Sequence, residues 1–390
     1  MLAIAGGSVF LSPITIGGQD FKVVIDTGSS DPWLATKDFE CYDPVTDEQI
    51  EEAACYFGPL YDPSLSPNYR VYPQRTLNLS YADGETLNGH MGFDTFTMGG
   101  ITVDDQEFGR VDYAAWYGDG VSSGLVGFAY RTLTSMYIGD DPKTAVAGKA
   151  VNYDTLFDSM WRNNLTDPVF SMALTRDPML TGNGGLMALG GIPDIPIGPT
   201  WISVPLIPVR LNTATGELEY QFYTILVDGW ALSKDFSAQY ATIPNARLNP
   251  RKTPLKGPRD PKNANSTAVN AIVDSGTTLV YVSDDLASQT AQLFDPPGSK
   301  NEDTGLFEVP CESVPPDFGV SVAGKIFLVN PDDMIMRTGA DTCISGVQGN
   351  HGGLWILGDV WMKSVLCVFD VGANWMRFAG RQYYGLTWNE

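Results

Sequence analysis

The chain has 390 residues, 43% of them hydrophobic, and a formal net charge of −22 from 46 acidic and 24 basic side chains. That length and apolar content support a large core, spread over two or more lobes or one large β-rich unit. The shortage of Lys and Arg argues against nucleic acid and anionic membrane surfaces as partners, and no apolar run approaches the ~18 residues that span a bilayer. Self-repulsion of this size eases as carboxylates protonate, so an acidic working environment suits the chain. Glycine (41) and proline (26) are plentiful and short alternating apolar runs outnumber helical patterns, so a mostly antiparallel β architecture is expected.

The opening MLAIAGGSVFLSPITIGG lacks a basic start followed by a sustained apolar stretch, so no signal peptide is expected within it. Next, FKVVIDTGSSDPWLA places Asp26 directly behind an apolar strand. Taken alone, Asp-Thr-Gly is a good turn sequence, and Asp31-Pro32 reads only as a turn. From Glu40 to Glu52 the chain carries six acids, read as a solvated surface loop, and Cys41 and Cys55 bracket it as a loop-closing pair. The run LNLSYADGETLNGHMGFDTFTMGG alternates on either side of Asp83-Gly84 and predicts a long β-hairpin. In VNYDTLFDSMWRNN, Tyr153, Leu156, Phe157, Met160 and Trp161 recur at the spacing of one helix face. Arg247 to Lys262 carries six basic residues and four prolines, read as a second solvated insertion.

A second acid block, AIVDSGTTLVYV, contains Asp274, and SDDLASQTAQLF after it predicts a helix capped by Ser283. Cys311 and Cys343 form a second loop-closing pair, while Cys367 in the apolar run VLCVF reads as a buried free thiol. Acceptor sequons stand at Asn78, Asn164 and Asn265; with two disulfides they favour the secretory route, giving a secreted protein or, alternatively, a vacuolar one.

The two acid blocks are related. Each has an apolar strand, then Asp-Thr/Ser-Gly-Ser/Thr, then a later pair of apolar residues before Gly, in SGLVGFAY and LWILGDVWM. A duplicated lobe explains the pattern, with residues 1–195 holding Asp26 and the hairpin and residues 196–390 holding Asp274. If the lobes face one another across a pseudo-twofold axis, the two carboxylates meet, share one proton and divide the roles of base and acid. Gly28 and Gly276 then let backbone N–H groups approach the carboxylates, Ser29 and Thr277 hold the outer oxygens, and Thr27 and Ser275 link the strand ends. The only histidines, His90 and His351, lie in neither a zinc motif nor beside a serine nucleophile, and no acidic spacing supports calcium, so no metal or other cofactor is expected.

These residues resemble the pepsin family of aspartic endopeptidases, most of all its secreted fungal members, from about Ile14 to the C-terminus. The resemblance rests on both Asp motifs, on SYADG around Tyr81, on Trp33 seven residues after Asp26 and on WILGD from Trp355 to Asp359. It implies a bilobal β fold with a central cleft and a hairpin flap. It also implies hydrolysis of protein or peptide substrates at acidic pH beside hydrophobic residues, maturation from a zymogen, sensitivity to pepstatin-like inhibitors and a monomer. By the same resemblance Tyr81 closes over substrate with its hydroxyl near Trp33. Asp83, Gly84, Gly276 and Thr278 contact substrate backbone, and Val24, Trp116 and Leu125 line the primary apolar pocket. Three positions depart from the pattern: Ala82 replaces a flap glycine, Ser275 a threonine and Ser123 an aspartate. The alternative on the same fold is a catalytically silent binding or inhibitor protein, which the retained Asp26, Asp274, Tyr81, Ser29 and Thr277 disfavour.

Overall fold

The computed structural model describes residues 1–4, 7–144, 150–176, 182–234, 241–242, 268–339 and 341–381. Asn265 and the basic insertion from Arg247 to Lys262 lie outside them. The described chain is mostly β and divides into two compact units. One comprises Met1–Pro168, Asp177–Gly184 and Arg210–Phe222; the other comprises Val169–Arg176, Gly185–Val209 and Tyr223–Glu390. No helix among the described residues is long and apolar enough to cross a membrane.

The first unit is organised on an eleven-stranded sheet. Its strand Gln19–Asp26 alternates as the period of two requires: Phe21, Val23 and Ile25 are buried while Asp20 and Lys22 face outward. The flap hairpin pairs Arg70–Ser80 with Thr86–Met98, Ser80 opposite Thr86, as the Asp-Gly turn predicts. Gly84 sits at its tip with φ +97°, a backbone that L side chains rarely adopt. Thr86–Met98 pairs in turn with Ile101–Ala115, which delivers Trp116 to the segment beyond. The acidic insertion is largely solvent-exposed, as expected, and carries a short hairpin in which Cys41 pairs with Ile50 and Tyr42 with Gln49, and Cys41 is disulfide-bonded to Cys55.

The second unit has two five-stranded and two four-stranded sheets among its described residues. Its strand Val269–Val273 buries Ala271, Ile272 and Val273 in succession, because it lies between Thr224–Val227 and the parallel strand Trp355–Leu357. The Cys311–Cys343 disulfide is formed and Cys367 is a buried free thiol, whose apolar surroundings push it upward from the usual thiol range.

One helix begins later than its periodicity suggests. Thr155 caps Leu156–Arg162 by accepting from Asp158 N–H at 3.2 Å, so Tyr153 precedes the helix and is buried elsewhere. The helix Asp284–Gln292 starts as expected, with Ser283 accepting from Leu286 N–H.

Candidate active site

Asp26 ends its strand, 5% exposed. The strand runs parallel to Gly124–Gly127, with Asp26 opposite Gly127, and Gly124–Gly127 pairs on its other side with Pro32–Tyr42. This crossing strand forces the chain after Asp26 into a tight loop whose backbone turns onto the carboxylate. Gly28 N–H donates to Asp26 Oδ1 at 2.7 Å, and the Ser29 hydroxyl donates to Oδ2. Phe128 N–H donates to Asp26 O at 2.7 Å and Ala129 N–H to Ser29 O at 2.8 Å, tying the loop to the crossing strand.

The second unit repeats the arrangement. Asp274, 8% exposed, follows Val269–Val273, which runs parallel to Trp355–Leu357, and that strand pairs on its other side with Val280–Val282. Gly276 N–H donates to Asp274 Oδ1 at 2.8 Å and the Thr277 hydroxyl to Oδ2 at 2.7 Å. Asp359 N–H and Val360 N–H donate to Thr277 O and Thr278 O at 2.8 and 2.9 Å. Thr27 and Ser275 are both buried beside their aspartates. Two neutral donors on each buried carboxylate supply part of the solvation lost on burial.

The glycine that closes each repeat has no room for a side chain. A Cβ on Gly127 would stand 2.4 Å from Ser30 C, and one on Gly358 would stand 2.2 Å from Thr277 O and 2.3 Å from Leu279 O. Gly358→Ala therefore displaces the loop that supplies the Thr277 hydroxyl to Asp274. It is expected to cost ~3 kcal/mol or more, lowering Tm by roughly 5 °C or more. Thermal denaturation checks this, and a Tm within 1 °C of the parent would refute the close approach.

Around Asp26 the remaining candidates gather on one side of the first unit. Trp33 Nε1–H donates to the Tyr81 hydroxyl at 2.8 Å, and Trp116 packs edge-on against Trp33 and Tyr81, with ring centroids 5.1 and 5.6 Å away. Val24 and Leu125 are register partners on adjacent strands and pack into the same cluster. Burial and the negative charges of Asp26 and Asp31 raise the Tyr81 phenol well above its usual range, so it stays a neutral hydroxyl. Asp83 and Gly84 are exposed at the hairpin tip; Thr278, in the second unit, is half-buried.

Two acids in this region were not legible as site residues. Asp31, read as a turn, is buried and bonded on both oxygens: Ser135 N–H donates to Oδ1 at 2.9 Å and Oδ2 at 3.1 Å, and the Tyr153 hydroxyl to Oδ1 at 2.6 Å. Burial outweighs these donors and pushes Asp31 up to about 6. Glu85 is buried under the hairpin turn. The available signal was an acid in each motif without a matching cation, which does not by itself reveal burial.

Two repeats, each holding one aspartate between a backbone N–H and a hydroxyl, with a Tyr-tipped hairpin beside the first, are the parts of an aspartic peptidase. The family model for eukaryotic aspartyl protease matches residues 9–239 and 257–381. A protein described as a probable aspartic-type endopeptidase of Aspergillus fumigatus is 35% identical over 97% of this chain and 80% of its own length. Aspergillopepsin-1 of Aspergillus flavus is 26% identical, covering 95% of this chain and 76% of its own. Gastricsin of Oryctolagus cuniculus is 27% identical, covering 95% and 81%. The chain belongs to the eukaryotic aspartyl protease family, and it is a pepsin-like aspartic endopeptidase whose class acts on peptide substrates.

Proposed function

We propose that Asp26 and Asp274 are the catalytic pair, meeting where the unit that holds Asp26 faces the unit that holds Asp274. The observation that carries this reading is the repeat itself: each carboxylate is buried and fixed by one Gly N–H and one hydroxyl. In the pair, one carboxylate is ionised and the other protonated. The ionised member takes a proton from a water whose oxygen attacks the scissile carbonyl carbon, while the protonated member gives its proton to the carbonyl oxygen. The product is a gem-diol. The leaving nitrogen then accepts a proton as the C–N bond breaks, and a gem-diol proton returns to the pair. No acyl-enzyme forms.

Tyr81, its hydroxyl held by Trp33, covers the substrate with Asp83 and Gly84, Gly276 and Thr278 bind its backbone from the other lobe, and Val24, Trp116 and Leu125 receive a hydrophobic side chain. Thr27 and Ser275 brace the loops. A secreted monomer inhibited by pepstatin-like compounds fits this reading, and disulfides and fungal relatives support passage through the secretory route. Asn164 is exposed in a turn and suits a glycan; Asn78 lies within the strand Arg70–Ser80, with its amide directed to Pro142 O at 3.4 Å.

The direct test is hydrolysis of a denatured protein between about pH 3 and pH 6, with and without pepstatin. Pepstatin-sensitive cleavage beside apolar residues is expected. A matured protein inactive across that range would refute the proposal.

A further inference from the structure

The flap turn contains a buried acid that neither the aspartate pair nor the apolar pocket uses. Glu85 is 7% exposed, whereas Ala82, Asp83 and Gly84 beside it are open to solvent. Its backbone closes the turn, accepting from Tyr81 N–H at 2.8 Å and donating to Asp83 Oδ1 at 3.1 Å. Its side chain leaves the hairpin: Oε1 accepts from Tyr117 N–H at 2.6 Å. Tyr117 follows Trp116, whose ring stacks on Phe57 at 6.0 Å and meets Trp33 and Tyr81 edge-on. With the Trp33–Tyr81 hydrogen bond, the contacts close a circuit from Tyr81 through Trp33, Trp116, Tyr117 and Glu85 back to Tyr81. Remove the Glu85 carboxyl, and the turn and the Trp116 segment lose this direct polar tie.

We propose that Glu85 is a positioning residue for peptide hydrolysis, its carboxyl latching the flap turn to the segment that carries Trp116. The proposal rests on reading Tyr81 and Trp116 as substrate-facing. Burial favours the uncharged acid, which still accepts from Tyr117 N–H without burying a charge. An ionised carboxyl makes that one bond stronger but leaves an anion buried beside Asp83. The balance falls on the neutral side: burial, opposed by the Tyr117 N–H and reinforced by Asp83, pushes Glu85 up to about 8. From the facing segment, Asp119 turns its carboxylate to Val121 and Ser122 N–H groups at 2.7 and 2.6 Å. At the cavity beside Thr86 and Asn88, Lys143 lies 3.7 Å over the Tyr113 ring and 3.8 Å from Glu40. Asp83 is the charged group acting on Glu85. The latch is therefore closed in acid and weakens as pH rises through about 8.

Tryptophan fluorescence in the Asp26→Asn variant reads the latch without turnover. A transition near pH 8 is expected, and adding Glu85→Gln, which keeps an acceptor for Tyr117 N–H but cannot ionise, should abolish it. In otherwise native protein at pH 4, Glu85→Ala should raise KM about tenfold with a smaller change in kcat, and Glu85→Gln should restore it. A transition that persists in the Gln variant overturns the latch. Wild-type KM in Glu85→Ala overturns the positioning role and leaves the aspartate pair untouched. Undiminished hydrolysis by Asp26→Asn would instead refute the pair, and the fluorescence result would stand apart from it.

Discussion

Asp26→Asn and Asp274→Asn should each lower kcat/KM for a denatured protein at pH 4 by ~1000-fold or more, with Tm close to that of the parent. The size follows from what each change removes. Asn is nearly isosteric with Asp, so Gly28 N–H and Gly276 N–H keep an acceptor. The amide nitrogen, however, faces the hydroxyl of Ser29 or Thr277, which can rotate to accept from it. The loops therefore survive while the ability to take and return a proton is lost. Activity assays alongside thermal denaturation separate the two effects. A variant that is folded and within tenfold of the parent would remove that aspartate from the mechanism.

Stability should fall as pH rises from 4 to 7, and Asp31→Asn should flatten the curve. The Asp31 carboxyl is raised from 3.8 to about 6 by burial, so the folded state holds a proton that the unfolded state has lost. A raised acid contributes stability that is complete below its unfolded value and disappears as pH passes through the folded one. The window here is about pH 4 to 6, and the loss is about 3 kcal/mol. Glu85 acts in the same direction up to about 8, and the net charge of −22 adds general repulsion. Asn at position 31 still accepts from Ser135 N–H and the Tyr153 hydroxyl, and it cannot ionise. Melting temperatures of both proteins at pH 4, 5, 6 and 7 decide the matter. Parallel curves would clear Asp31 of the effect, and a parent Tm that rose from pH 4 to pH 7 would contradict the sign for the whole molecule.

The two aspartate loops and the flap hairpin could be read from the chain because local patterns specify them. Phe21, Val23 and Ile25 alternate into the core up to Asp26, and the Asp83-Gly84 turn demands a positive φ that Gly84 supplies. The disulfides were also legible, since Cys41 and Cys55 flank a loop short enough to close on itself. What escaped depends on tertiary burial. Asp31 follows a turn-forming stretch, and only the packing of Tyr153 and Ser135 against it, more than a hundred positions away in the chain, makes it an interior acid. Glu85 looks like any charged residue on a hairpin arm until Tyr117 is placed opposite it. Tyr153 shows the reverse error: its spacing matched a helix face, but the Thr155 cap starts the helix beyond it. The acidic insertion is exposed as expected, but its two-residue strand pair, Cys41 with Ile50 and Tyr42 with Gln49, is too short to show in a run of charges.

The most direct test of the paired aspartates is the Asp26→Asn/Asp274→Asn double variant, assayed beside the two single variants under identical conditions. Groups that work as one unit lose their function together, so kcat/KM of the double variant should equal that of the weaker single variant within a few-fold. Losses that multiply, each aspartate adding its own independent factor, would contradict a shared catalytic pair.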